Sequence, residues 1–123
     1  MSKEIVLFDF DEVYRVALNV VICQDRKMWD KWLDDIGFTA DRIDHERVNG
    51  CYYRILPDNN SAGANSNVIF LRTKNLSDLL HECTHLVFNQ FAEKGVPIRV
   101  ENDEAFAYYL EYWFNKVRKE WKG

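Results

Sequence analysis

The 123-residue sequence contains only three cysteines, and no two of them have the Cys-x-x-Cys spacing. Cys23, Cys51 and Cys83 are widely separated and odd in number, which argues against a disulfide framework and against a thiolate zinc site. We therefore expect buried free thiols in a reducing cytoplasm, with Cys83 packed as a small apolar residue.

The sequence also lacks an excess of positive charge and any long apolar run. Its formal net charge is −4, with 16 Lys+Arg against 20 Asp+Glu, so nothing in the overall charge indicates binding to nucleic acid. No apolar stretch is long enough to cross a bilayer, and the first four residues do not read as an export signal. We expect neither nucleic acid nor a membrane as a partner, and the oligomeric state stays open.

Apolar and aromatic residues, by contrast, are plentiful. They make up 47% and 15% of the chain, and four tryptophans are among them. A chain of this length and composition forms one packed domain, residues 1–123, rather than two domains or a disordered segment.

One short segment carries recognisable chemistry: His81-Glu82-Cys83-Thr84-His85, inside a largely apolar run from Leu76 to Phe91. Histidines four residues apart lie on the same face of a helix, so both imidazoles can bind one metal ion. The glutamate beside the first histidine reaches the same cleft, where it can take a proton from water without being a ligand. The pattern predicts a zinc site of the HExxH type, with Zn²⁺ as the cofactor.

This motif, with the later segment Asn102-Asp103-Glu104-Ala105-Phe106-Ala107-Tyr108, resembles the gluzincin branch of the zincin metallopeptidases. In detail it is similar to minimal single-domain forms from bacteria and their phages, and the resemblance extends from Val68 onward. It implies a peptidase in which Glu82 takes a proton from the attacking water and delivers it to the leaving amine. It also implies that an extended protein or peptide substrate pairs with the strand Val68–Arg72.

The third zinc ligand must be a carboxylate if three protein groups hold the ion, because no histidine follows His85. The candidates are Glu101, Asp103, Glu104 and Glu111. We favour Glu104, because the small residues Ala105 and Ala107 allow two helices to pack closely there. Glu104 also matches the ligand position of the resembled family.

Two tyrosines follow Glu104 by one and two helical turns, and either is a candidate donor to the oxyanion formed during hydrolysis. They are Tyr108 and Tyr112. Larger gluzincins often carry an aspartate at the position of Tyr108, where it supports a zinc-bound histidine. The remaining histidine, His45, has charged neighbours, which favours a solvated surface loop over a role at the oxyanion.

The remaining pattern predicts a small α+β domain, and the resemblance implies that it is zincin-like. We expect a twisted sheet of three or four strands, packed against the HExxH helix and a C-terminal helix. Strands are predicted at Ile5–Phe10, Cys51–Leu56 and Val68–Arg72, and helices at Gln24–Ile36, from Asn75 to Lys94–Gly95, and from Asn102 or Asp103 to about Trp121. Periodicity does not decide between strand and helix for Val13–Ile22, and Asp58–Asn67 reads as a flexible loop that is either a lid over the cleft or an ordinary connection.

Two other functions fit the same motif. A domain of this size has little wall around a cleft, so the site also suits a non-catalytic zinc-binding domain that recognises a protein partner. A metal-free interaction module with a vestigial motif is the third alternative.

Overall fold

The computed structural model describes residues 5–12 and 15–121, and over these ranges the chain is an α+β domain with a four-stranded sheet. The strands are β1 (Ile5–Asp11), β2 (Val16–Ile22), β3 (Gly50–Ile55) and β4 (Ser66–Leu71). The helices are α1 (Arg26–Asp35), α2 (Leu76–Lys94) and α3 (Asp103–Glu120). The predicted fold class, a small sheet with an HExxH helix and a C-terminal helix, is confirmed.

The strands follow the order β1-β2-β4-β3, which makes the sheet mixed. β2 and β4 are parallel, whereas the two outer pairs are antiparallel. β4 is therefore an interior strand, and all six of its residues are buried, as expected for a strand covered on both faces. β3 is an edge strand of this order.

Helices cover both faces of the sheet. On one face, Leu18 and Ile69 pack with the apolar stripe of α2 and with Trp113 of α3. On the other face, Val68 and Phe70 pack against α1, where the Trp29 ring is stacked on the Phe70 ring with centroids 5.4 Å apart. This arrangement follows from the period-two alternation of strand side chains.

Helix α2 begins and ends as its sequence predicts. The Asn75 side chain accepts a hydrogen bond of 3.0 Å from the Asp78 backbone N–H, which caps the first turn. Gly95 ends the helix in the left-handed conformation, with φ of 70°, which glycine adopts without steric cost. Both predicted ends of the helix are confirmed.

The two segments left open by the sequence have definite structures. Val16–Ile22 is strand, while residues 13 and 14 of the ambiguous segment lie outside the described ranges. In the Asp58–Asn67 segment, the buried Asn60 side chain bonds to the backbone of Leu56 and Ala64. Ala64 packs with the α1 layer, on the face of the sheet opposite α2, so this segment is a connection packed on α1 rather than a lid over the histidines.

No helix in the described part of the chain combines the length and the apolar character that crossing a membrane requires.

The register of α2 can be tested with two leucines of the same helix. Leu86 is fully buried, whereas Leu80 is 45% exposed. We expect Leu86→Ala to lower the free energy of unfolding by about 2–5 kcal/mol, because it leaves a cavity in the core. Leu80→Ala should change it by less than about 1 kcal/mol. Urea denaturation followed by circular dichroism measures both, and equal costs would contradict the orientation of α2.

Candidate metal centre

The two motif histidines lie one turn apart on α2 and face each other. Their Nε2 atoms are 3.2 Å apart, and their ring centroids are separated by 4.8 Å. Together with the Glu82 carboxylate, they form a group whose candidate ligand atoms all lie within 4.8 Å of one another. It is the one such group found within residues 5–12 and 15–121.

The spacing of the two nitrogens suits a tetrahedral zinc ion. With Zn–N bonds of 2.0–2.1 Å, two nitrogen ligands of one ion lie about 3.3 Å apart. The observed Nε2–Nε2 distance of 3.2 Å is close to this value. His81 is also accessible to an incoming ion, because its side chain is 69% exposed. The donor set and its geometry therefore fit zinc.

Glu82 is buried beside these exposed rings. One carboxylate oxygen lies 4.0 Å from His81 Nε2. Burial raises the pKa of Glu82 to about 6, with Asp78 acting in the same direction and His81 opposing both. A carboxylate with a pKa near neutrality can take up a proton and release it again.

The electrostatics of His85 also favour metal binding. Burial lowers the pKa of His85, and the nearby charge of His81 lowers it further. The neutral imidazole is the form that binds metals, so both effects favour the ligating state. Cys83 lies in the core as expected, and burial, followed by the Glu82 charge, raises the pKa of its thiol to about 12.

A cleft of about 250 Å³ opens in front of the three side chains. Besides His81, Glu82 and His85, its lining consists of Ile43, Val48, Gly50, Cys51 and Tyr52. Gly50 is required at the start of β3, since a Cβ there would lie 2.8 Å from Leu71 Cδ2 and 2.9 Å from the Phe70 carbonyl oxygen. It would also lie 3.4 Å from Glu82 Cγ, so the glycine allows the edge strand to approach the carboxylate closely.

The strand expected to bind a substrate is not at an edge. Residues of the predicted Val68–Arg72 segment form most of β4, which pairs with β2 on one side and with β3 on the other. Its backbone groups are therefore already used within the sheet, and the predicted placement of a peptide along it does not fit. The strand that is at an edge and also lines the cleft is β3.

Glu104 lies on α3 and is not a member of the group formed by His81, Glu82 and His85. It is exposed, in the first turn of the helix. The Phe106 ring contacts the Phe88 ring at a centroid distance of 4.8 Å, which brings the start of α3 beside the α2 turn that follows His85. The role of Glu104 as third ligand stays a prediction.

The tyrosines singled out in the sequence are on α3. Tyr108 is 67% exposed and Tyr112 39% exposed, and the Tyr112 hydroxyl accepts a hydrogen bond of 3.1 Å from Lys116. The described lining of the cleft contains Tyr52 and neither of these two. Tyr52 was missed by the sequence reasoning, although its place two residues after Gly50 on the same face of β3 was a usable signal.

His45 is buried, at 3% exposure, so its prediction as part of a solvated surface loop is wrong. Its charged neighbours remain at the surface, while its ring lies edge-on to Trp29 with centroids 4.8 Å apart.

Comparisons of the chain with protein-family models, curated proteins and solved structures gave no match. A functional assignment therefore rests on the geometry of the site and on the motif itself.

Proposed function

We propose that the protein is a zinc-dependent peptidase whose active site is the cleft in front of α2. The observation that carries this proposal is the pair of imidazole Nε2 atoms, 3.2 Å apart, beside a buried glutamate in an open cleft. Two nitrogens at this spacing match two corners of a zinc tetrahedron. The buried carboxylate next to them is the group that peptide hydrolysis requires.

Zinc, when bound, supplies Lewis-acid chemistry: it makes water more acidic and polarises a peptide carbonyl. Glu82 accepts the proton of the attacking water and then delivers it to the leaving amine. Its burial suits this double role, because a pKa of about 6 leaves neither protonation state inaccessible near neutral pH. His81 and His85 would hold the ion at the cleft that they line.

Glu104 completes the proposed ligand set. The resemblance of the motif supports this role, and so does the packing of the start of α3 beside α2 through Phe88 and Phe106. Two histidines and one carboxylate would leave a coordination position of a zinc ion open for water, as a hydrolytic site requires. Tyr108 and Tyr112 are not in the described lining of the cleft, and their role as oxyanion donors stays a prediction.

The substrate is proposed to be a protein or peptide that lies extended along β3. Pairing with an edge strand provides affinity through main-chain hydrogen bonds, with little demand on the sequence of the substrate. The first residues of β3, Gly50 to Tyr52, line the cleft that contains the histidines. A peptide bonded to this strand therefore passes in front of Glu82.

A non-catalytic zinc-binding interaction domain is the second candidate function. It is favoured by exposed apolar side chains on α2 close to the motif: Leu80 is 45% exposed and Phe88 44% exposed. Such a surface suits a protein partner as well as a substrate. In this case the protein would bind zinc without hydrolysing peptides.

Metal content is the first test of the proposal. We expect one zinc ion per chain, measured by inductively coupled plasma mass spectrometry after exhaustive dialysis. His81→Ala and His85→Ala should each lose most of the zinc, because each removes one of the paired nitrogens. His45→Gln is the matched control and should keep the metal, since His45 lies outside the cluster.

The same measurement tests the third ligand. Glu104→Gln should weaken zinc binding in a competition titration with a chelator, whereas Asp103→Asn, a change of the same kind at the neighbouring residue, should not. Zinc retained unchanged in His81→Ala would contradict the metal centre. Zinc affinity unchanged in Glu104→Gln would remove Glu104 from it.

The role of Glu82 separates catalysis from binding. Glu82→Gln should keep zinc but reduce peptide hydrolysis by roughly 10²–10⁴-fold, the usual contribution of a general base. Digestion of an unfolded protein substrate, followed by mass spectrometry, measures the effect. The variant Glu82→Asp keeps the carboxylate but shortens the side chain, and so tests whether the position of the carboxylate matters. Full activity of the glutamine variant would refute the mechanism. A zinc-loaded wild-type protein that cleaves no member of a peptide library would favour the interaction domain.

A further inference from the structure

The segment that joins α1 to β3 carries one wall of the cleft and also the buried histidine. We call residues 41–48 the wall loop. Ile43 and Val48 of this loop line the cleft beside the motif histidines, while His45 between them points into the α1 layer. The position of Ile43 in the wall of the cleft therefore depends on how the His45 side chain is held.

Tyr53 connects the wall loop to the sheet. Its hydroxyl oxygen accepts a hydrogen bond of 2.8 Å from the Ile43 backbone N–H. The same oxygen lies 3.1 Å from His45 Nε2. Because a phenol has a single hydrogen to donate, the hydroxyl can satisfy both neighbours when it accepts from Ile43 and donates to His45.

The neighbours of the two ring nitrogens favour one tautomer of His45. We infer that Nε2 accepts from the Tyr53 hydroxyl and that the imidazole proton is on Nδ1. Nδ1 faces an Asp30 carboxylate oxygen at 3.5 Å, a suitable neighbour for an N–H. In the other tautomer, the lone pair of Nδ1 would face the carboxylate, and the Tyr53 hydroxyl proton would lose its acceptor.

The surroundings of His45 oppose a positive charge on its ring. Its ring is packed against Trp29 and lies near Phe70. Burial lowers the pKa of His45; Asp30 raises it, and three cations lower it further. The charged groups near the ring are Asp30 and Arg26 of α1, Arg42 of the wall loop, and Arg72, which follows β4.

We propose that His45 and Tyr53 form a latch that positions Ile43 in the wall of the cleft and that opens when His45 takes up a proton. Protonation places a hydrogen on Nε2, so the Tyr53 hydroxyl can no longer donate to it. A positive charge then lies against apolar rings. Both costs are relieved when the wall loop moves away from Tyr53.

His45 and Tyr53 are positioning residues, because they act on the cleft through Ile43. Val48 is held separately, since Arg72 Nε donates to its carbonyl oxygen at 2.7 Å. The far end of the wall loop should therefore stay in place when the latch opens. The effect of the latch on substrate binding rests on the proposed function, whereas the latch itself needs no metal and no substrate.

The direction of the pH dependence follows from the lowered pKa of His45. Above the ordinary histidine pKa of 6.5, the imidazole is neutral in both the folded and unfolded chain, and the closed latch contributes fully to stability. As the pH falls below 6.5, the unfolded chain takes up the proton first, so this contribution diminishes. It is lost once the pH passes below the pKa of the folded state.

NMR of the metal-free protein tests the latch directly. Long-range ¹H–¹⁵N spectra at pH 7.5 should show His45 with its proton on Nδ1. During a titration to pH 5, the Ile43 amide and methyl signals should shift together with the His45 ring, while those of Val48 move much less. A proton on Nε2 at pH 7.5, or Ile43 signals that do not follow the His45 titration, would overturn the proposal.

Two variants separate the latch from general loosening of the fold. Tyr53→Phe should make hydrogen exchange at the Ile43 amide about tenfold faster at pH 7.5, because it removes the acceptor of that N–H. Tyr52→Phe, which removes a hydroxyl from the opposite face of the same strand, is the matched control and should leave this exchange unchanged. His45→Gln keeps a side-chain acceptor but cannot titrate, so the Ile43 amide should lose the part of its pH shift that follows the His45 ring in the wild type.

Exchange at Ile43 that is equal in Tyr53→Phe and the wild type would contradict the proposal. None of these measurements depends on zinc or on hydrolysis. Failure of the latch would therefore leave the proposed peptidase function untouched, and failure of the peptidase function would leave the latch testable.

Discussion

The separation of two imidazole nitrogens on one helix is the constraint on which the site depends. His81 and His85 present their Nε2 atoms 3.2 Å apart only because α2 is regular through this turn and its opposite stripe is buried. Leu79, Cys83 and Leu86 fix the rotation of the helix about its axis, since each of them is fully buried. A rotation of one residue, about 100°, would bury one histidine and expose a leucine. The core packing and the geometry of the candidate metal centre are therefore determined by the same helical register.

The second requirement is a buried carboxylate beside exposed rings. Glu82 precedes Cys83 and points to the side of α2 that faces the start of β3, where Gly50 provides the space. Burial disfavours the charged form of the Glu82 carboxylate and so raises its pKa, which suits a group that takes up and releases a proton. The site thus combines an accessible side, where an ion can enter, with a less accessible side, where the Glu82 carboxylate can be protonated close to neutral pH.

Local patterns in the sequence predicted much of this structure, and long-range pairing explains what they missed. The ends of α2 were predictable because Asn75 and Gly95 act on their own neighbourhoods. The order of the strands was not, because the hydrophobicity of β4 does not reveal which strands lie beside it. For this reason the sequence did not show that the strand predicted to bind the substrate, β4, lies in the interior of the sheet. Nor did it show that β3 lies at an edge.

In the candidate site, too, the sequence predicted the arrangement within one helix but not the arrangement between two helices. The spacing of His81, Glu82 and His85 determines their proximity on a helix, whereas the position of Glu104 depends on how α3 packs against α2. His45 was misplaced because its neighbours in sequence are charged, while its neighbours in space, Trp29 and Tyr53, come from elements far along the chain. Side chains within one helix can be related from sequence alone, but those on different elements cannot.

The central claim is that one divalent ion binds between the two Nε2 atoms of α2. X-ray absorption at the zinc edge of the loaded protein tests it most directly, because the scattering pattern counts imidazole ligands and gives their distances. We predict two imidazole nitrogens at about 2.0–2.1 Å, together with oxygen ligands. A shell without imidazole scattering, or with sulfur as the main ligand, would contradict the proposed metal centre.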